Sequence, residues 1–240
     1  MLEPVLLGLV LAPTWAGLSL SLAALAVFLL HQPLKIALKD RNRGRHYQRT
    51  GLAERFALGY GLLTMIFGGT ALILAGPAPA IPLIFAVPFG LILIAYDLQN
   101  KSREALPEIA GALAFGALAA ALVMIDGWSL GRALLLWAGL APRSITSILY
   151  IRERLHLAKD RPVAFLPVIV AHGAAWLWIG LAVAFGLISW PVLLGLAVLT
   201  VRAAWGLSPL RRALRTPIIG VLELGYGLLY VISIVASYHI

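Results

Sequence analysis

The segment "WAGLAPRSITSILYIRERLH" places Arg143, Ser147, Tyr150 and Arg154 at positions i, i+4, i+7 and i+11. In a helix that spacing puts all four on one face. Two guanidiniums, a phenol and a hydroxyl form a donor-rich stripe, the chemistry that holds phosphate or carboxylate oxygens through charge-assisted hydrogen bonds. Arg143 falls about ten residues, or ~15 Å, inside the basic end of its helix. An arginine at that depth facing lipid would cost several kcal/mol, so the stripe is expected to face the bundle interior or a wet cavity. Pro142 beside it weakens the backbone ladder and leaves a carbonyl free to bond.

Glu223, in "GVLELGYGLLY", reaches nearly the same depth from the start of the last helix, so a Glu223–Arg143 pair is expected. Such a pair either locks two helices together or lines a cavity open to the cytoplasm. Asp97, Lys101, Glu104 and Glu108 make a further cluster in "YDLQNKSREALPEI". Its charges are expected to pair with one another and with Arg103, with Asp97 and Lys101 also available to a ligand. Lys39, Arg41 and Arg43 belong to "HQPLKIALKDRNRGRHYQRTG", which holds six Lys or Arg and one Asp. Together with Arg152 they extend the basic rim. His172, alone among apolar residues, reads as a satisfied core side chain. No His, Asp and Glu set has metal-ligand spacing, and there is no P-loop or GxGxxG opening a helix.

These residues must be carried by membrane-spanning helices. The chain has 240 residues, 61% hydrophobic and 12% charged, about half the charge of a soluble domain. Long, nearly uncharged runs occur at 5–30, 56–75, 81–95, 109–125, 163–190 and 217–238, each near the ~20 residues that span a bilayer. Alternating strand patterns are absent, so the fold class is all-α, a polytopic helix bundle in a single domain over 1–240. Proline and glycine divide the runs into nine helices at about 1–12, 14–38, 52–75, 80–97, 105–125, 130–156, 163–187, 190–207 and 215–238. Pro13 breaks the first run, with Thr14 as N-cap of the second helix. Eight spans, with Pro13 only kinking one long helix, is the alternative. Twelve residues cover only ~18 Å of a ~30 Å core, so the first helix is expected to be truncated or half-buried.

Charge sets the expected orientation. Lys35 to Arg55, Lys101 and Arg103, Arg152 to Arg161, and Arg202 to Arg215 alternate with nearly uncharged loops that hold only Asp126 and Arg132. By the positive-inside rule the basic loops are cytoplasmic and the C-terminus lies outside. The net charge of +9 therefore reflects orientation and anionic lipid rather than nucleic acid. Without cysteine, disulfides and thiolate metal sites are excluded,. The first apolar run has no basic n-region or cleavage site and is expected to stay as structure. Seven tryptophans, several near span ends, fit an interfacial belt.

The segments "LLGLVLAPTWAGL", "HQPLKIALKDRNRGRHYQRT", "YDLQNKSREALPEIAGALAFG", "RSITSILYIRERL" and "AHGAAW" carry a resemblance to the YwiC-like integral membrane proteins of bacteria. Those proteins open with a basic "REHGAW"-like segment, whereas this sequence opens at "MLEPVLLGL". More distantly, the layout resembles the UbiA superfamily of membrane prenyltransferases. That likeness implies nine helices, a cytoplasmic cavity, and a prenyl diphosphate held on magnesium by aspartate-rich motifs after helices two and six. "NKSREALPEIAGALAFG" echoes the superfamily's "TKxxxxxPxxxxGLAFG". The paired aspartates are missing: the loop after helix two offers only Asp40, and that after helix six Glu153 and Asp160. Magnesium requires carboxylate oxygens beside the phosphates, so the expected ligand is an isoprenyl diphosphate or a similar membrane-lipid anion neutralised by basic side chains. A non-catalytic assembly factor is the alternative, with a small-solute transporter as a third class.

Overall fold

A computed structural model describes residues 2–42, 44, 47–211 and 214–240. The described residues form nine helices and no strand: α1 (Leu2–Leu11), α2 (Trp15–Asn42), α3 (Gln48–Ala75), α4 (Ala80–Leu98), α5 (Ala105–Ile125), α6 (Leu130–Leu157), α7 (Phe165–Ala184), α8 (Pro191–Leu207) and α9 (Thr216–His239). Seven are long and apolar enough to cross a membrane, whereas α1 and α8 are shorter. The outside is apolar too: Met65 is 74% and Ile73 85% exposed, a surface that requires lipid around it.

The breaks have local causes. Thr14 Oγ1 accepts from the Gly17 backbone N–H at 3.0 Å, so α2 starts afresh after Pro13 instead of continuing a kinked α1. Gly76, at φ 71°, ends α3 and returns its N–H to the Leu72 carbonyl, a left-handed conformation that glycine adopts without strain. Ser129 Oγ accepts from Arg132 N–H at the start of α6, and Pro191 opens α8, where its missing N–H loses nothing.

The facing ends of α2 and α3 differ most from the sequence-based expectation, and α7 spans Phe165–Ala184 rather than 163–187. Helix α2 runs four residues past 38 and α3 begins four residues before 52. The cause is Asp40, only 3% exposed, which accepts from Arg49 Nη2 at 3.1 Å and from Thr50 Oγ1 at 2.8 Å. One buried carboxylate thus draws the ends of both helices together, and the charged stretch that reads as a loop is mostly helical.

Helix α5 is the centre of the bundle. Its residues 117–123 are all buried, and α1, α2, α4 and α6 pack around it. Leu7, Val123, Leu136, Ile179, Leu196 and Tyr230 fill the core beside it. Inside lipid, close approach of backbones replaces the hydrophobic driving force. Gly8 of α1 lies against Leu122, and Gly195 of α8 lies against Tyr230 and Ser233 of α9. Pro142 cannot donate to the Ala138 carbonyl, and the Trp178 indole of α7 does so instead at 3.1 Å.

A Cβ added at Gly8 would stand 2.5 Å from a Leu122 methyl, while one at Gly61 would meet nothing. Gly8→Ala should therefore cost about 1–3 kcal/mol. Gly61→Ala should be neutral or slightly stabilising. Thermal unfolding in detergent would separate the two.

Candidate functional site

Within α6, the helix end at Leu157 lies fourteen positions beyond Arg143, about 21 Å at helical rise. Pro142 and Arg143 stand side by side, both buried. Arg143 Nη1 donates to Ser147 Oγ, one turn along the same face. Its Nη2 donates to the Glu223 backbone carbonyl at 2.8 Å and to Glu3 Oε1 at 3.0 Å, and Nη1 lies 3.5 Å from Glu223 Oε2. Arg202 Nη1 reaches that same Oε2 at 2.6 Å and Ser147 Oγ at 3.2 Å. Glu3, Arg143, Glu223 and Arg202 thus join α1, α6, α9 and α8 in one formally neutral network.

Arg202 is only partly satisfied. Its Nε and Nη2 are buried without a hydrogen-bond partner, and its guanidinium stacks 4.3 Å from the Tyr150 ring and 5.5 Å from that of Tyr226. It shares its one carboxylate with Arg143. The residue borders a cavity of about 800 Å³ between α6, α8 and α9, where Tyr150, Arg154, Glu223 and Tyr226 add polar groups and Leu194, Val198, Val201 and Leu222 apolar walls. Val201 and Leu222 are also exposed on the outer surface, so the cleft opens sideways toward lipid. Tyr150 is wedged there against Gly206, where any side chain would collide with its hydroxyl.

A second cavity, of about 710 Å³, lies between α1, α2, α4, α5 and α6. His31, Lys35 and Asp97 border it on one side and Glu3 and Glu108 on others. Asp97 pairs with Lys35, and His31 Nε2 lies 3.5 Å from Asp97 Oδ2. Glu3 reaches both this cavity and Arg143, so the buried network forms part of the wall between the two spaces.

A model of the family described as YwiC-like protein matches residues 1–125, just over half of the 240-residue chain. The chain belongs to the YwiC-like family. No curated protein and no solved structure matches it. The matched half of this YwiC-like chain carries Glu3 and the second cavity's Lys35–Asp97 pair. The lateral cleft, beyond residue 125, rests on geometry alone.

The structure divides the residues singled out from sequence. Arg143, Tyr150, Arg154 and Glu223 come together, and Arg154 is buried at the cleft. Asp97 stands apart at the second cavity. Lys39, 3.4 Å from Asn100 Oδ1, is at the surface, as are Arg41 and Lys101. Arg152 donates to the Arg103 carbonyl at 2.7 Å and to Glu108 at 3.0 Å. Arg43 lies outside the described residues. The expected pairing within the α4–α5 cluster is corrected: Asp97 turns to α2 and Glu108 to α6, because those helices pack against the junction. Arg202, grouped with the basic loop in the sequence, is buried inside α8. Its place in the apolar run "VLLGLAVLTVRAAW" was the available signal. Glu3, at the start of a short apolar helix, offers none.

Glu223→Leu would leave Arg202 buried without a carboxylate and Arg143 with Glu3 alone, a change expected to cost about 3–5 kcal/mol,. Glu3→Gln, which leaves Arg143 on Glu223 and Ser147, should cost far less. Thermal unfolding of the two variants in one detergent checks the order.

Proposed function

We propose that the protein binds an amphipathic anion, an isoprenyl diphosphate or a similar lipid phosphate, in the lateral cleft between α8 and α9. In this reading it resides in the bacterial cytoplasmic membrane, its basic loops cytoplasmic and its C-terminus outside. The observation that carries the reading is Arg202, a buried guanidinium with two nitrogens lacking acceptors, which with Arg154, Tyr150, Glu223 and Tyr226 borders a cleft whose remaining walls are mostly apolar. Phosphate oxygens supply the acceptors that guanidiniums need. The walls formed by Leu194, Ala197, Val198 and Leu222 suit a hydrocarbon tail,.

Binding is favoured over transformation. Glu223 is the only carboxylate bordering the cleft among the described residues, and two guanidiniums occupy it. A general base needs a free lone pair within reach of the proton it takes, and magnesium needs further carboxylate oxygens. Among the described residues no group of three or more His, Asp or Glu could hold a metal ion. The arginines therefore neutralise the headgroup themselves.

Farnesyl diphosphate at a hundred times its dissociation constant should stabilise the purified protein by ~2.7 kcal/mol, equally with magnesium and with EDTA. Val198→Trp, which fills the cleft, should abolish that response. Arg154→Gln should weaken it. Stabilisation that survives Val198→Trp would place the anion elsewhere, and a response that requires magnesium would overturn the arginine reading.

A further inference from the structure

Helices α2 and α3 form a hairpin that the rest of the bundle leaves largely uncovered. Helix α3 packs on α2 and on little else, and of its 28 residues only Thr50, Ala53 and Ala71 are buried. A groove of about 400 Å³ lies between the two helices and is bordered by no other. Leu30, Leu34, Leu38 and Arg41 line it from α2, Glu54 and Leu58 from α3. The spacing i, i+4, i+8 and i+11 sets the four α2 residues on one helix face, and i, i+4 does the same for the two of α3. Leu34, Leu38 and Leu58 are exposed, so the groove opens toward the surrounding lipid.

From Leu30 to Arg41 is eleven positions, ~17 Å of helix and about half of the ~30 Å hydrocarbon core. The groove therefore has the length of one leaflet, apolar along its course and ionic near the α2–α3 turn. Arg41 and Glu54 both border it there, yet neither forms an ion pair with the other or with any other described residue. The remaining acid of the turn, Asp40, is already taken by Arg49 and Thr50. Orientation in the membrane calls for basic residues such as Arg41 at this turn, but it does not call for Glu54. One open cation and one open anion stand together at the end of a hydrocarbon-lined groove.

We infer that the α2–α3 groove holds a phospholipid whose head carries both a phosphate and a primary ammonium, phosphatidylethanolamine. One acyl chain lies along the leucines, the phosphate accepts from the Arg41 guanidinium, and the ammonium donates to the Glu54 carboxylate. A choline head has no N–H to donate. A glycerol head brings a phosphate without a cation and leaves Glu54 facing like charge. A second copy of the chain would exchange Arg41–Glu54 pairs about a two-fold axis, but it would set the groove against its own image. Two facing hollows leave a void that an acyl chain fills. The groove shares no residue with the lateral cleft, and its occupancy is independent of the anion bound there.

The test is native mass spectrometry of the delipidated full chain, titrated in detergent with palmitoyl-oleoyl phosphatidylethanolamine, phosphatidylcholine and phosphatidylglycerol. One ethanolamine lipid should bind roughly fivefold more tightly than either of the others, the upper end of what an exposed ion pair contributes. Glu54→Gln should bring the ethanolamine lipid down to the choline level, whereas Arg41→Gln should weaken all three. Both residues are exposed, so neither change threatens the fold. Equal affinity for the three lipids, an ethanolamine preference that survives Glu54→Gln, or a dimer that Arg41→Gln splits would each overturn the inference.

Discussion

The helices α6, α8 and α9 take their mutual register from one carboxylate. Glu223 Oε2 receives Arg202 at 2.6 Å and Arg143 at 3.5 Å, with little water nearby to share the charge. In such surroundings a missing partner costs far more than a mispacked methyl group, because the remaining charge stays buried and uncompensated. Sliding α6 or α8 by one residue would shift its guanidinium by ~1.5 Å and turn it by roughly 100° off the shared face. Neither helix has that freedom. Glu3 extends the same constraint to α1, and Gly227, one turn beyond Glu223, is needed for it. A side chain there would run into the Glu3 carboxylate and stand 3.0 Å from Arg143 Nη2.

Away from that network, small residues do the joining. Helix α5 buries Gly116 and Ala117 with Ala119, Ala120 and Ala121, so its neighbours approach closely along a nearly featureless face. Such a face fixes distance better than rotation, and single polar contacts supply the rotation. The Trp137 indole donates to the Leu113 carbonyl at 2.9 Å, and the Tyr230 hydroxyl to the Gly139 carbonyl at 2.9 Å. The second of these falls within the turn that Pro142 loosens, where Trp178 also binds. The proline that interrupts α6 thus exposes backbone acceptors that α7 and α9 use to align on it, directly beside Arg143.

The helices were legible because each ~20-residue apolar run is bounded by proline, glycine or a cap, and depth along two such helices was enough to pair Arg143 with Glu223. The failures share a cause. Asp40 looked like one acid lost among bases, yet burial makes it the clasp of the α2–α3 turn. Asp97 looked local, but Lys35 stands 62 positions away in sequence. Arg202 was counted with its basic neighbours downstream, and Glu3 had no neighbour to mark it. In each case tertiary packing selects the partner, and linear spacing carries no trace of it. The cavities were unreadable for the same reason. They exist where side chains of three or more helices fail to meet, which no single run of residues encodes.

Helix α8 separates two cavities. It is seventeen residues long, with Arg202 and Val198 bordering one cavity and Thr200 and Ala203 bordering the other. Tied by Arg202 to Glu223 on one side and by Thr200 to Trp176 on the other, it acts as a partition held from both faces. Molecules seated on opposite sides of it would be separated by about a helix diameter, ~10 Å. Group transfer needs reacting atoms within roughly 3.5 Å. Molecules in the two cavities therefore could not react with each other while α8 stays in place.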